Sequence, residues 1–191
     1  MIEVSQLPPN LRKLLNWAVI IGSALICLLL LPMRLPGTEL VGVKPDWVLI
    51  WVVVWSAKRL PFQGAMAGLA LGLILDGMTA AYPTHALSLG CVGFLSARLY
   101  KQGYTRLGDR QEDIIAISLL VLGMVPLAEA ITALQFLLFN YEQYGSWNLA
   151  QIWLAHQKVT PICALLSSLW APVIYYPLNR WWQYLHTLEK A

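Results

Sequence analysis

Three long runs almost free of charge limit this chain more than any other feature. Leu14–Leu31 holds 18 residues with no Asp, Glu, Lys or Arg. Ile114–Phe139 holds 26 residues with one, Glu129, and Val159–Asn179 holds 21 with none. A helix needs about 20 apolar residues to cross a hydrocarbon core of about 30 Å, so each run predicts a membrane-spanning helix. Charged residues make up 12% of the 191-residue chain, half of the roughly 25% usual in soluble domains. That excludes a soluble domain, a disordered chain and a disulfide-built secreted scaffold. Cys27, Cys91 and Cys163 all lie within apolar runs, form no CxxC pair and suit buried fillers.

The pattern predicts an all-α integral membrane protein, a single polytopic domain over residues 1–191. About six spans form one bundle, at 14–31, 45–57, 62–78, 84–100, 114–139 and 159–184. Arg12 and Lys13 precede the first span as in a signal peptide. The run is too long for an h-region and no small-x-small site follows, so a retained helix is expected. The second span is short: thirteen residues rise only about 20 Å. Either it begins earlier, near Leu40, or it and the third form a hairpin shielded by neighbours.

Basic residues orient the six spans. With both termini in the cytoplasm, ten lie inside: Arg12, Lys13, Lys58, Arg59, Arg98, Lys101, Arg106, Arg110, Arg180 and Lys190. Three, Arg34, Lys44 and Lys158, lie outside. This is the expected cytoplasmic excess. Tyr141, Tyr144, Trp147 and Trp153 fall in the last outer loop, which is either a short surface helix with Leu149, Ile152 and Trp153 facing lipid or an ordinary irregular loop. Trp181, Trp182 and Tyr184 mark the inner end of the sixth span. Trp47, Trp51 and Trp55 recur every four residues as one helical stripe, suited to bundle packing, lipid contact or a partner.

The third span carries the clearest constellation. Gly64, Gly68, Gly72 and Asp76 share one helix face, a flat surface on which another backbone can dock, within the bundle or in a partner. Asp76 is a proton or ligand group, a polar anchor, a residue at the membrane edge, or a cap on the turn that follows it. Glu129 sits three residues after Pro126, which leaves a carbonyl unpaired, and suggests a polar pocket or a local hydrogen bond. Pro161, Pro172 and Pro177 should disturb the sixth span similarly. His85, His156 and His186 form no HExxH, and no GxSG, EExxxR or GxxxxGK[ST] occurs. His85 lies in a turn near Asp76. No catalytic residue, metal ligand or cofactor is expected. Basic residues are scattered with no stripe for a phosphate backbone, so no nucleic-acid partner is expected.

Pro45-Asp46-Trp47 opens the second span, Gly72-Leu73-Ile74-Leu75-Asp76 closes the third, and Ala86-Leu87-Ser88-Leu89-Gly90 opens the fourth. In this order the motifs resemble the bacterial rod shape-determining protein MreD family. The likeness covers about 45–100. Members often carry a glycine in the turn before the fourth span, where this chain reads Tyr82-Pro83-Thr84-His85. The resemblance implies a non-enzymatic scaffold of the wall-elongation machinery in the bacterial inner membrane. Its implied partners are an MreC-like protein, a RodA-type polymerase, a transpeptidase and an actin-like filament protein. The implied fold looks like the substrate-binding subunit of energy-coupling-factor transporters. That likeness carries a rival expectation, a small-solute binding or transport subunit using Asp76 and Glu129. The family-like motif residues are Pro45, Asp46, Gly72 and Asp76. Arg98, Lys101, Arg106 and Arg110 are candidates for contact with partners or anionic lipid.

Overall fold

The second helix organises the bundle, although it is the shortest. The computed structural model describes residues 8–33, 37–40, 42–79, 84–104, 110–144 and 149–190. At residues 9, 79, 103–104, 110–112, 139–144, 149–158, 186 and 188–190 it describes backbone alone. The helices are α1 (Pro9–Leu30), α2 (Trp47–Ala57), α3 (Pro61–Thr79), α4 (His85–Tyr104), α5 (Arg110–Tyr144) and α6 (Leu149–Lys190). No strand occurs among the described residues.

Ten of the eleven α2 residues are buried, Trp55 being half-buried. A helix apolar on every side has to be surrounded by protein or lipid, and here it is surrounded by protein. α2 packs against each of α1, α3, α4, α5 and α6. Asp46 starts it by accepting the Leu49 N–H at 3.0 Å, satisfying one of the free amides of the first turn. The approach to α2 is irregular. Leu40 and Val43 exchange two backbone hydrogen bonds across a tight turn, and Gly42 sits there at φ 79°, a conformation that suits glycine.

α2 lies parallel to α6. The Asp46 N–H donates to Ser167 Oγ at 2.9 Å, and the Lys58 ammonium donates to Asn179 Oδ1 at 2.6 Å. Both pairs are 121 residues apart, so the two helices keep one register from end to end. Ser167 lies roughly eight residues into the apolar part of α6 that starts at Val159, about 12 Å along its axis. α2 therefore begins below the end of its neighbour, and non-helical backbone at that depth is tolerable because Pro45 and Trp47 are buried in protein. The early start near Leu40 is not present; of the short pair, α2 is shielded by its neighbours, while α3 keeps Phe62, Met66 and Met78 exposed.

Among the described residues three stretches are long and apolar enough to cross a membrane: Asn10–Leu30, Asp113–Leu138 and Val159–Leu185. They are the signature of a multi-pass membrane protein. α1 is the most peripheral, with Leu14, Trp17 and Leu29 all at least 60% exposed. α5 and α6 are longer than the expected spans. α6 runs from Leu149 to Lys190 through Pro161, Pro172 and Pro177, rising about 63 Å. The expected separate surface helix at 149–153 is instead the first part of α6. The side chains of Tyr141, Tyr144, Leu149, Ile152 and Trp153, and all of Trp147, lie outside the described residues.

Candidate functional site

The glycine face of α3 lies against α4, the most extensively packed helix pair in the molecule. A Cβ at Gly64 would strike the carbonyl of Gly93, one at Gly68 the carbonyl of Leu89, and one at Gly72 the backbone of His85 and Ala86. Gly93 is equally closed by Gly64. The two backbones touch along three turns, and only glycine allows that. The face is thus filled from within the chain. Van der Waals packing of this kind holds helices together where lipid removes the hydrophobic drive.

Asp76, next on the same face, locks the end of that seam. Its carboxylate accepts the backbone N–H groups of Thr84 (3.1 Å), His85 (2.8 Å) and Ala86 (2.9 Å). The His85 ring meets it through Nδ1 at 2.8 Å. These amides are the first of α4, which has no partner for them in its own backbone. Asp76 is therefore a helix cap, but for α4, across the connecting loop, and not for the turn Asp76-Gly77-Met78-Thr79. The negative charge also faces the positive end of the α4 dipole. Tyr82 and Pro83, in the connecting turn, lie outside the described residues.

Asp46 does the same work for α2, through Leu49, and its own amide is tied to Ser167. The tryptophan stripe belongs to this packing. Trp47 meets Trp170 edge to face at 5.5 Å, and Trp51 donates through Nε1 to Ser23 Oγ on α1 at 2.9 Å. Trp51 and Trp55 stack at 5.8 Å. Glu129 is half-buried on α5 and lies within electrostatic range of Asp46.

The opposite end of the bundle gathers residues that sequence reasoning did not single out. Asp113, at the start of α5, is buried and accepts the hydroxyls of Tyr100 on α4 (3.1 Å) and Tyr175 on α6 (3.3 Å). Lys58, in the α2–α3 turn, sits 5.4 Å from the centre of the Tyr175 ring. The Arg59 guanidinium lies between the indoles of Trp55 and Trp182, 5.4 and 5.7 Å from their centres. Burial lowers the pKa of Lys58, against an opposing pull from Asp113, and lowers that of Arg59. The signal for this cluster was present in the sequence: a Lys-Arg pair between two apolar segments, with Trp55 one helical turn before Arg59.

Arg98 and Lys101 are exposed on the last turns of α4. Arg106 and the side chain of Arg110 lie outside the described residues. Among the described residues no three His, Cys, Asp or Glu side chains gather in a group that could hold a metal ion. Set against protein-family models, curated proteins and solved structures, the chain matches none of them.

Proposed function

We propose that this chain is a non-enzymatic membrane scaffold of the wall-elongation machinery, similar in role to MreD. On this reading it binds an MreC-like protein and helps link the cytoplasmic actin-like filament to the RodA-type polymerase and transpeptidase. All six helices form one bundle in the inner membrane with both termini cytoplasmic, arranged like the substrate-binding subunits of energy-coupling-factor transporters. The observation that supports a scaffold best is the use made of the motif residues. Asp46 and Asp76 cap helices, and Gly72 lets α3 and α4 touch. Residues engaged in this way fix a shape, and a fixed shape is what a docking platform needs.

With the glycine face turned onto α4, the partner surface we propose is the lipid-facing side of the same helix pair. A groove of about 520 Å³ runs there, lined by Phe62, Met66, Leu69, Leu87, Cys91 and Phe94. A transmembrane helix of the MreC-like partner would lie along it, held by side-chain packing. Mild-detergent affinity purification from native membranes, read by mass spectrometry, tests the assignment. Recovery of MreC and the polymerase pair is expected, with MreC lost in Met66→Trp/Leu87→Trp while the variant still inserts. Recovery of an ATPase and a transporter scaffold would make this a solute-binding subunit and end the scaffold reading.

A further inference from the structure

At the end of the bundle opposite Asp76, a cavity of about 450 Å³ opens between α1, the α2–α3 turn and α6. Asn16, Lys58, Arg59, Asn179, Trp182 and Gln183 line it. Four observations give it a chemistry. First, two cations face it, and among the described residues neither is ion-paired with a carboxylate; the Lys58 ammonium donates to Asn179 Oδ1. Asp113, whose field reaches Lys58, is itself bonded to two tyrosines. Second, the Arg59 guanidinium is within cation–π range of two indole rings, Trp55 and Trp182, which favours keeping it at the cavity wall. Third, two lining residues carry buried polar atoms with no partner among the described residues, Trp182 Nε1 and Asn16 Oδ1. These atoms make the wall polar, each lying just behind the cavity surface. Fourth, the cavity lies beside the last residues of the apolar stretch of α6, which ends at Leu185, and near the start of that of α1. That is headgroup depth for a crossing helix.

We propose that this cavity binds the phosphate of an anionic phospholipid, with Arg59 and Lys58 on the phosphate oxygens. Guanidinium and ammonium groups bind phosphate through charge-assisted hydrogen bonds, and Arg does so as a two-pronged fork. A lipid is the source that fits the depth and the aromatic wall. The acyl chains would run back along the exposed apolar face of α1, where Trp17 and Ile21 lie. The inference depends on the chain lying in a membrane and not on its having a wall-elongation partner.

Native mass spectrometry of the full chain in detergent, titrated with phosphatidylglycerol, phosphatidylcholine or inorganic phosphate, tests it. One saturable phosphatidylglycerol site is expected, about tenfold or more weaker in Lys58→Gln/Arg59→Gln. Lys44→Gln, at the other end of α2, controls for the loss of a positive charge and should bind as the wild type does. Lys58 is exposed, so Lys58→Gln alone serves where the double variant does not fold. Equal binding of phosphatidylcholine would overturn the proposal, as would wild-type affinity in the pocket variants. Full displacement of the lipid by equimolar inorganic phosphate would overturn the choice of lipid as the ligand.

Discussion

Asp76 and Asp113 are buried to nearly the same degree, 6% and 7% exposed, at opposite ends of the bundle. They are held by different kinds of partner. Asp76 takes three backbone amides from the first turn of α4 and one imidazole. Asp113 takes two phenol hydroxyls, one from α4 and one from α6. Backbone amides survive every substitution except proline, so the Asp76 joint is nearly as fixed as the helix it caps. Side-chain hydroxyls can be removed one at a time, so the Asp113 joint is adjustable. The rigid end is the one that carries the family-like motif residues, and the adjustable end is the one that carries the open basic cavity.

The largest effect should come from the seam that places Asp76. Gly68→Leu has no space, because even its Cβ would meet the Leu89 carbonyl, and α3 and α4 would have to part. Loss of the folded, monodisperse protein in detergent is the expected outcome. Gly90→Ala, in the same helix pair, sharpens the contrast. The nearest atoms to its added Cβ are 3.6 Å away, ordinary contact, so thermal unfolding followed by tryptophan fluorescence should move by less than about 0.5 kcal/mol. Overpacking typically costs about 1–3 kcal/mol when the backbone can yield, and here two backbones face each other. A stable Gly68→Leu would show that the pair is not closed by backbone contact.

The spacing of the glycines told the sequence reader that a backbone would approach α3, because period four in a helix puts small residues on one face. It did not tell whose backbone, since α4 and a partner helix offer the same surface. Asp76 was legible as an intramembrane acid that needed a reason. Its role as the cap of another helix was not, because the bond runs eight to ten residues forward across a turn with no fixed pattern. The three long spans were legible from charge alone. α2 was legible only as an anomaly of length. Its explanation, a buried helix enclosed by the five others, depends on tertiary contacts that a one-dimensional pattern cannot hold. Asp113 was hidden because it closes the polar connector that ends where α5 becomes apolar, and such an acid is most often solvated. Nothing local announces Tyr100 and Tyr175, which lie 13 and 62 residues away.

Asp76→Ala should rank second. It leaves three amides at the start of α4 without their acceptor in a buried place, and cap loss and buried unpaired donors together suggest about 2–4 kcal/mol. The protein should still insert, since α3 becomes more apolar, but should unfold at a clearly lower temperature. Asp76→Asn separates hydrogen bonding from charge. Its one remaining carbonyl oxygen can accept from part of the set, so it should fall between alanine and wild type. Wild-type stability in Asp76→Ala would mean that α4 finds another cap, and the contrast between the two ends would be lost.

The smallest effects belong to the adjustable joint. Tyr175→Phe removes one hydroxyl from Asp113 and leaves the ring, which is buried at 1% exposure and carries the contact with Lys58. Tyr100→Phe removes the other. A single hydrogen bond to a charged acceptor is worth about 1.5–3 kcal/mol at most, and water reaching the carboxylate from the connector end would return part of it. Each single change should therefore cost about 1 kcal/mol. The pair is the informative case. With one phenol gone, Asp113 still has a donor; with both gone, a buried carboxylate has neither. The double variant should lose more than the sum of the singles, by about 1 kcal/mol or more, a coupling that a double-mutant cycle measures directly. Strict additivity would mean that the two hydroxyls act on Asp113 independently, through solvent. In that case the end of the bundle bearing the basic cavity would be held by its packing and not by its polar network.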